Sequence, residues 1–391
     1  MDDLTPGNRP AGPRKPAAGR TGVRGSAAPR VAPRVLRKDL TCSPPHAVFI
    51  DICNLCGLRC PCCPTGRRER SFPHRVLTAE RFAVLLERVA PFAETLTLHN
   101  WGEPFLNPEL HEIITLAAGS GRRVHADSNF NFPALDRAAA ERLVRSGLRS
   151  LHASIDGTSQ TAYERYRVGG DLALAMHNLR RLAEARDRLR VPIELAWKFI
   201  VHRHNEHELE AAVRSARELG VPILFQLLST DGDPDWLSSF HDRSDRLPPG
   251  APLEVELAGE MFRIAWQNHV PTSRYLGRRD PALDPARPPR RRSFPVNIVE
   301  LALDPRLPWC CRHPFETLYV NSDGSVTPCC TAWGTNMTVG NLLEQPFEEV
   351  WNGPAMRACR GYLLDPFSGH QGRSVCETQP CEFRDMAFGR R

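Results

Sequence analysis

The sequence predicts an α/β protein: a partial (β/α)6 TIM-like barrel followed by a small cysteine-rich α+β module. Three observations carry that expectation. Apolar runs alternate with amphipathic helical patterns from about residue 46 to 228. Glycine, cysteine and polar residues gather just after the apolar runs rather than before them. The 13 cysteines form two groups on either side of a long cysteine-free middle.

The first apolar run, residues 47–52, reads as a buried strand, and a helical pattern over 78–90 follows its cysteine loop. Residues 95–99 read as the next strand and 108–118 as the next helix. Further strand and helix pairs fall at 123–127 with 138–146, 150–155 with 172–188, and 193–201 with 206–219; residues 223–228 close the series. The first, fifth and sixth strands are largely apolar at successive positions, as suits a parallel sheet covered by helices. Repeated βα units with right-handed crossovers give either a barrel or a doubly wound sheet. The residues after the strands decide between them: the cysteine loop, Asn100-Trp101-Gly102-Glu103-Pro104, Ser128-Asn129, Ser154-Ile155-Asp156-Gly157 and His204-Asn205. Such residues at strand C-termini mark the catalytic face of a barrel. No G-x-G-x-x-G or G-x-x-x-x-G-K-[ST] run supports a dinucleotide or P-loop sheet.

The net charge of +6 is local. Residues 1–40 hold nine basic and three acidic residues, so the rest is formally neutral. This Pro/Ala/Gly/Arg-rich tail is expected to be disordered rather than a nucleic-acid-binding arm. Residues 41–228 are expected to be the barrel and 229–308 a breaker-rich connecting segment with a short helix over 258–267. Residues 309–391 then form the cysteine-rich unit. No apolar run is long enough to cross a membrane and no export signal pattern begins the chain, so a cytoplasmic location is expected. Thirteen thiols in two groups argue for metal rather than a disulfide scaffold.

In Cys56-Gly57-Leu58-Arg59-Cys60-Pro61-Cys62-Cys63, the thiols of Cys56, Cys60 and Cys63 are spaced to hold three irons of a [4Fe–4S] cube. The fourth iron is left without a protein ligand, whereas clusters that only carry electrons normally take four cysteines. A zinc knuckle would want a fourth Cys or His in a short hairpin, and His46 and His74 are poorly spaced for it. This C-x3-C-x2-C loop resembles that of the radical S-adenosylmethionine (SAM) enzymes. The resemblance implies that the open iron chelates the amino and carboxylate groups of SAM and delivers the electron that splits it.

Further motifs occur in the order of that family. Trp101-Gly102-Glu103-Pro104 resembles its Gly-Gly-Glu-Pro turn, with Trp101 in place of the first glycine. By that likeness Gly102, Glu103 and Pro104 meet the SAM ammonium group, and Asn129, Ser154 and Asp156 face its ribose and carboxylate. Asp156-Gly157 taken alone reads as a capping turn. Arg167, in a stretch that also resembles relatives, is a candidate for the SAM carboxylate or for a surface ion pair. Lys198, amid apolar residues of the fifth strand, needs a partner and is a SAM or substrate candidate. His99 and Asn100 are further candidates at the barrel mouth.

Cys311 and Cys329 frame a hairpin expected around Asp323-Gly324, and C-x12-G-x4-C resembles the opening of the SPASM or twitch auxiliary-cluster module. Gly340-Asn341-Leu342 and Val350-Trp351-Asn352 match further points of it. Cys376 and Cys381 would complete four thiolates for one auxiliary [4Fe–4S] cluster, with Cys310, Cys330 and Cys359 as spare thiols. The alternative is a four-cysteine zinc site.

The resemblance implies an enzyme that cleaves SAM to a 5′-deoxyadenosyl radical and abstracts hydrogen from a substrate. The expected substrate is a small molecule such as a sugar or aminocyclitol, undergoing dehydrogenation or epimerisation, with Cys53, Cys62 or Cys310 as hydrogen donor in the latter case. A peptide- or protein-modifying maturase is the alternative, against which no folded leader-binding domain is evident before the barrel. A non-catalytic zinc-binding adaptor is the alternative of another class. An electron donor such as flavodoxin or ferredoxin is the expected partner; membrane and nucleic acid are not.

Overall fold

Six apolar runs become six parallel strands paired in chain order: β1 (Ala47–Ile50), β2 (Thr95–Thr97), β3 (Arg123–Ser128), β4 (Ser150–Ser154), β5 (Glu194–Val201) and β6 (Ile223–Leu227). The computed structural model describes residues 35–37, 39–69, 75–229, 233–245, 253–266, 300–302, 311, 313–332, 334–364 and 374–378. Most of the basic tail, the Pro-Arg run 285–292, Cys310 and Cys381 lie outside the described residues.

Helices α1 (Ala79–Val89), α2 (Leu110–Gly119), α3 (Arg137–Val144), α4 (Gln160–Tyr166), α5 (Leu172–Leu189) and α6 (Leu209–Glu218) connect the strands. Their starts are set by side chains: Thr78, Asp136, Ser159 and Asp171 each accept a backbone N–H of the first turn of α1, α3, α4 and α5. The short α4 is not anticipated by the periodic pattern. Period-two alternation then divides the sheet. Val48, Ile50, Leu96, Val124, Leu151, Trp197 and Phe199 bury completely in a core with Phe82, Leu85 and Val89 of α1. Each such side chain contributes roughly 1.5–3 kcal/mol. Residues between them, such as His125, Asp127, His152 and Lys198, stay half-buried on the other face.

Both edges of this sheet are extended. The helix expected over 258–267 is instead half of a hairpin, β7 (Leu253–Leu257) and β8 (Glu260–Trp266), whose β8 pairs parallel to β6. The reason is alternation: Leu253, Val255 and Leu257 are buried while Glu254 and Glu256 are exposed. Ala258 and Gly259, with φ of 50° and 79°, make the tight turn. At the opposite edge β9 (Thr317–Val320) pairs parallel to β1, and β10 (Ser325–Thr327) and β11 (Gly340–Asn341) follow antiparallel. Eight consecutive strands, β9 then β1 to β6 then β8, are thus parallel in one open arc. This is a partial TIM-like barrel onto which the C-terminal cysteine-rich module is joined by its first strand.

The rest of that module is α7 (His313–Glu316), α8 (Phe347–Trp351), α9 (Pro354–Leu364) and α10 (Val375–Thr378). The hairpin expected around Asp323-Gly324 is present, with Gly324 at φ 87° in its turn. Trp351 Nε1 donates to the carbonyls of Cys42 (3.1 Å) and Ser43 (3.0 Å), and Asn352 Oδ1 accepts the Cys42 N–H (2.8 Å). No helix among the described residues is long and apolar enough to cross a membrane.

Candidate active site

The ends of β1 to β5 converge on the cysteine loop. Asp51, just past β1, is fully buried and accepts the backbone N–H of Asn100 (3.4 Å) and Trp101 (3.3 Å), so it shapes the turn after β2. That turn is pressed onto the loop. The Glu103 N–H donates to the Leu55 carbonyl (2.8 Å), and a Cβ on Gly102 would lie 1.8 Å from the Cys53 carbonyl oxygen. Glycine at 102 is therefore a steric requirement.

Glu103 is 2 % exposed and its carboxylate is held by three donors, with acceptor capacity left on Oε2. Oε1 accepts from Phe105 N–H (3.1 Å) and Ser128 Oγ (2.8 Å), and Oε2 from Asn129 N–H (2.8 Å). Burial raises its pKa to about 7, against those hydrogen bonds and the Arg167 charge. Burial likewise raises Asp51 to about 7. Pro104 opens the short 3₁₀ turn that follows.

Around the thiols the donors come from separate strands. Cys56 Sγ accepts from Leu58 N–H (3.4 Å) and from Asn129 Nδ2 (3.5 Å), and Arg167 Nη1 lies 3.8 Å from Cys60 Sγ. Cys60 packs with Leu58, Tyr166, Ile200, Leu228 and Trp236, and Cys56, Cys62 and Cys63 lie against this apolar cluster. Burial lifts the Cys56 and Cys60 thiols to about 11 and about 12, and the charge of Cys63 adds to both. Cys56 and Cys60, desolvated and facing N–H donors, with Cys63 beside them, fit a bound cationic cluster, which would favour their thiolate forms. Cys53, one of the hydrogen donors considered from sequence, is fully buried with its thiol toward the Leu55 carbonyl.

Arg167 is held by the barrel. Its Nε donates to Asp156 Oδ2 (2.6 Å), and Asp156 Oδ1 accepts the Ile200 N–H (2.7 Å). Asn205 Nδ2 donates to the carbonyls of Asp156 (3.0 Å) and Ile200 (2.8 Å), locking the ends of β4 and β5 together. Asp156 thus already spends both oxygens within the chain. Ser154 ends β4 opposite Lys198. The Lys198 ammonium is paired with Asp127, so the partner its sequence context demanded lies on β3. Burial opposes the Asp127 charge, but Lys198 and His99 hold its pKa well below the usual carboxylate range. Sequence reasoning missed Asp51, Asp127, His125 and His152; alternation of polar residues along β3 and β4 was the signal available.

In the second group Cys311 and Cys376 pack with buried Cys42, Phe315 and Leu363. Buried Cys329 follows β10, its Sγ 3.3 Å from Thr331 Oγ1. Cys376 shares a hydrogen bond with Cys359, and the charges of Cys329 and Cys311 act on it. Cys359, read from sequence as a spare, is thereby brought beside the expected ligands, while Cys381 lies outside the described residues. Cys330 Sγ is 3.8 Å from His313 Nε2. Above this group sits Arg360, fully buried and stacked 4.5 Å over Trp351. Its Nε and Nη1 reach neutral acceptors, Pro314 O, Leu40 O and Asn352 Oδ1, while Nη2 is buried without a partner among the described residues. An anionic thiolate cluster would answer that buried cation.

Two family models match the chain: "Radical SAM superfamily" over residues 50–214 and the SPASM "Iron-sulfur cluster-binding domain" over 310–382. Among curated proteins, the chain is 29% identical over 180 residues to a PqqA peptide cyclase of Gluconobacter oxydans, covering 46% of this chain and 48% of that protein. It is 22% identical over 367 residues to an AdoMet-dependent heme synthase of Methanosarcina barkeri, covering 88% and 89%. The chain therefore spans about half the length of the peptide cyclase it matches. Among solved structures, Streptococcus suis SuiB bound to S-adenosylmethionine has the same fold, with TM-score 0.59 and 14% identity over 88% of this chain and 72% of that one. So has anSMEcpe with bound AdoMet and Cp18Cys peptide, with TM-score 0.51 and 14% identity over 88% and 95%.

Proposed function

We propose that this chain, which belongs to the radical SAM superfamily and carries a C-terminal SPASM iron–sulfur cluster-binding domain, modifies a peptide by hydrogen abstraction. A [4Fe–4S] cluster held by Cys56, Cys60 and Cys63 would supply the electron for reductive cleavage of SAM. Glu103 offers the SAM ammonium group a carboxylate that is already oriented by Phe105, Ser128 and Asn129, so little reorganisation is needed on binding. Asn129 joins that carboxylate to Cys56, which fixes the SAM-binding turn relative to the cluster. Asp156 holds Arg167 against Cys60, where its charge offsets the thiolates. The roof of Leu58, Tyr166, Ile200, Leu228 and Trp236 excludes water. A second cluster on Cys311, Cys329, Cys376 and either Cys381 or Cys359 would take the substrate's electron.

The observation that supports a peptide substrate is the likeness to a PqqA peptide cyclase, 29% identical over 180 residues. It favours the peptide-modifying alternative over the sugar or aminocyclitol expected from sequence. A tetrapyrrole is the second reading, favoured by the breadth of the match to the heme synthase. The test is anaerobic reconstitution with SAM and dithionite, against candidate precursor peptides and iron coproporphyrin III. The expected result is deoxyadenosine release raised by a peptide, whose mass falls by the hydrogens removed. Release raised by the porphyrin alone would overturn the peptide reading and favour the second.

A further inference from the structure

One layer below the SAM site, the inner face of the barrel gathers His99, His125, His152, Asp127 and Lys198. On β3, Val124 and Ala126 are buried against the helices, so His125 and Asp127 turn to the opposite face. Asp127 stands in register with His152 on β4. Two residues beyond Asp127, about 6.6 Å along the strand, Asn129 touches Cys56. The cluster of side chains therefore lies beneath the site where SAM is proposed to bind.

Asp127 is the hub. Lys198 Nζ is paired with Oδ2, and His99 Nε2 lies 3.6 Å from the same oxygen while its Nδ1 accepts the Asp127 backbone N–H (3.0 Å). The other oxygen differs. His125 Nε2 is 2.8 Å and His152 Nδ1 3.1 Å from Oδ1. Both imidazoles act on the Asp127 charge, so two ring nitrogens from two strands converge on this one buried oxygen. His125 is meanwhile fixed from behind, its Nδ1 2.7 Å from Ser150 Oγ.

We propose that His125 Nε2, Asp127 Oδ1 and His152 Nδ1 bind a divalent first-row metal ion such as zinc or ferrous iron. The three ligand atoms lie within 4.8 Å of one another. Separations of 2.8 and 3.1 Å are those of ligands roughly 90° apart and about 2.1 Å from one ion, an octahedral rather than a tetrahedral arrangement. Ser150 is the outer hydrogen-bonding partner that a ligating imidazole usually has. Two imidazoles and one carboxylate leave coordination positions open, and these face the lumen, where a carbonyl or carboxylate oxygen of a substrate can complete the coordination. Lys198 neutralises Oδ2 and repels a dication, so it weakens the site. The proposal does not depend on the substrate being a peptide.

The test is equilibrium dialysis of the reconstituted full-length protein against zinc, with zinc and iron counted per chain. Wild type is expected to retain one zinc beyond its cluster iron. His125→Ala and His152→Ala lose it while keeping wild-type iron and circular dichroism. Ser150→Ala weakens zinc binding about tenfold, and Lys198→Met tightens it. Zinc that is lost only when cysteines are replaced overturns the proposal. So does unchanged zinc affinity in Ser150→Ala and Lys198→Met.

Discussion

The two cysteine groups are built on opposite plans. The first takes its three thiols from eight consecutive residues, and everything that orients them comes from elsewhere: Asn129 after β3, Asp156 after β4 and Arg167 after α4. The second takes its thiols from either side of a hairpin and from two helices, residues 311 to 376, which meet only in the folded chain. Their cations differ too. Arg167 is neutralised by a carboxylate, whereas Arg360 is surrounded by neutral acceptors and thiols. The first site is thus a short loop braced by a barrel; the second is a site that exists only when its module is assembled.

That contrast predicts unequal consequences for equivalent changes. Cys60→Ala is expected to abolish SAM cleavage, whereas Cys376→Ala leaves uncoupled deoxyadenosine release that high-performance chromatography detects. Equal losses would erase the distinction. A step smaller is Gly102→Ala, which drives a methyl into the Cys53 carbonyl. It is expected to remove iron from the first site only, about half of the roughly eight irons that two cubes contain. Loss of all iron would mean that the two sites are not separately built. Asp156→Asn should leave both clusters in place and weaken SAM binding on the order of tenfold, because Arg167 loses its charged anchor; unchanged affinity would remove Arg167 from the site.

The smallest effect is one of pH. Burial raises Glu103 from 4.5 to about 7 and Asp51 from 3.8 to about 7. Between those values the folded chain keeps protons that the unfolded chain has released, so both groups make stability fall as pH rises and level off above about 7. His99 and His202, lowered by burial to about 3, act in the opposite sense up to their ordinary 6.5. Glu103→Gln removes one contribution to the fall alone. Urea midpoints of the cluster-free chain should therefore change with pH more favourably in the variant than in wild type; parallel profiles would show that Glu103 is not linked to folding.

Sequence made the barrel legible because its strands are short apolar or alternating runs set between helical patterns, a local property. The helix expected over 258–267 is instead the turn and second strand of a hairpin; Ala258-Gly259 is a weak turn signal and the residues after it suit either structure. Pairing of β9 with β1 joins segments some 270 residues apart, and nothing local encodes such a register. The site divides along the same line. Cys56, Cys60, Cys63 and Glu103 stand in recognisable motifs, and the structure brings Glu103 and Asn129 together around Cys56. Cys359 and the His125–Asp127–His152 group were not legible, because each member is an isolated residue until helices or strands place them together. Asp156 was read toward the SAM ribose, yet its carboxylate is occupied by Arg167 and the Ile200 N–H.

The central claim, that the loop at 56–63 alone offers an open iron to SAM, is tested most directly by electron paramagnetic resonance of the reduced protein. In a Cys311→Ala, Cys329→Ala variant that retains only the first cluster, adding SAM is expected to change the spectrum. In Cys60→Ala, which retains only the second, SAM is expected to leave it unaltered. A SAM-induced change in Cys60→Ala, or none in the double variant, would contradict the account.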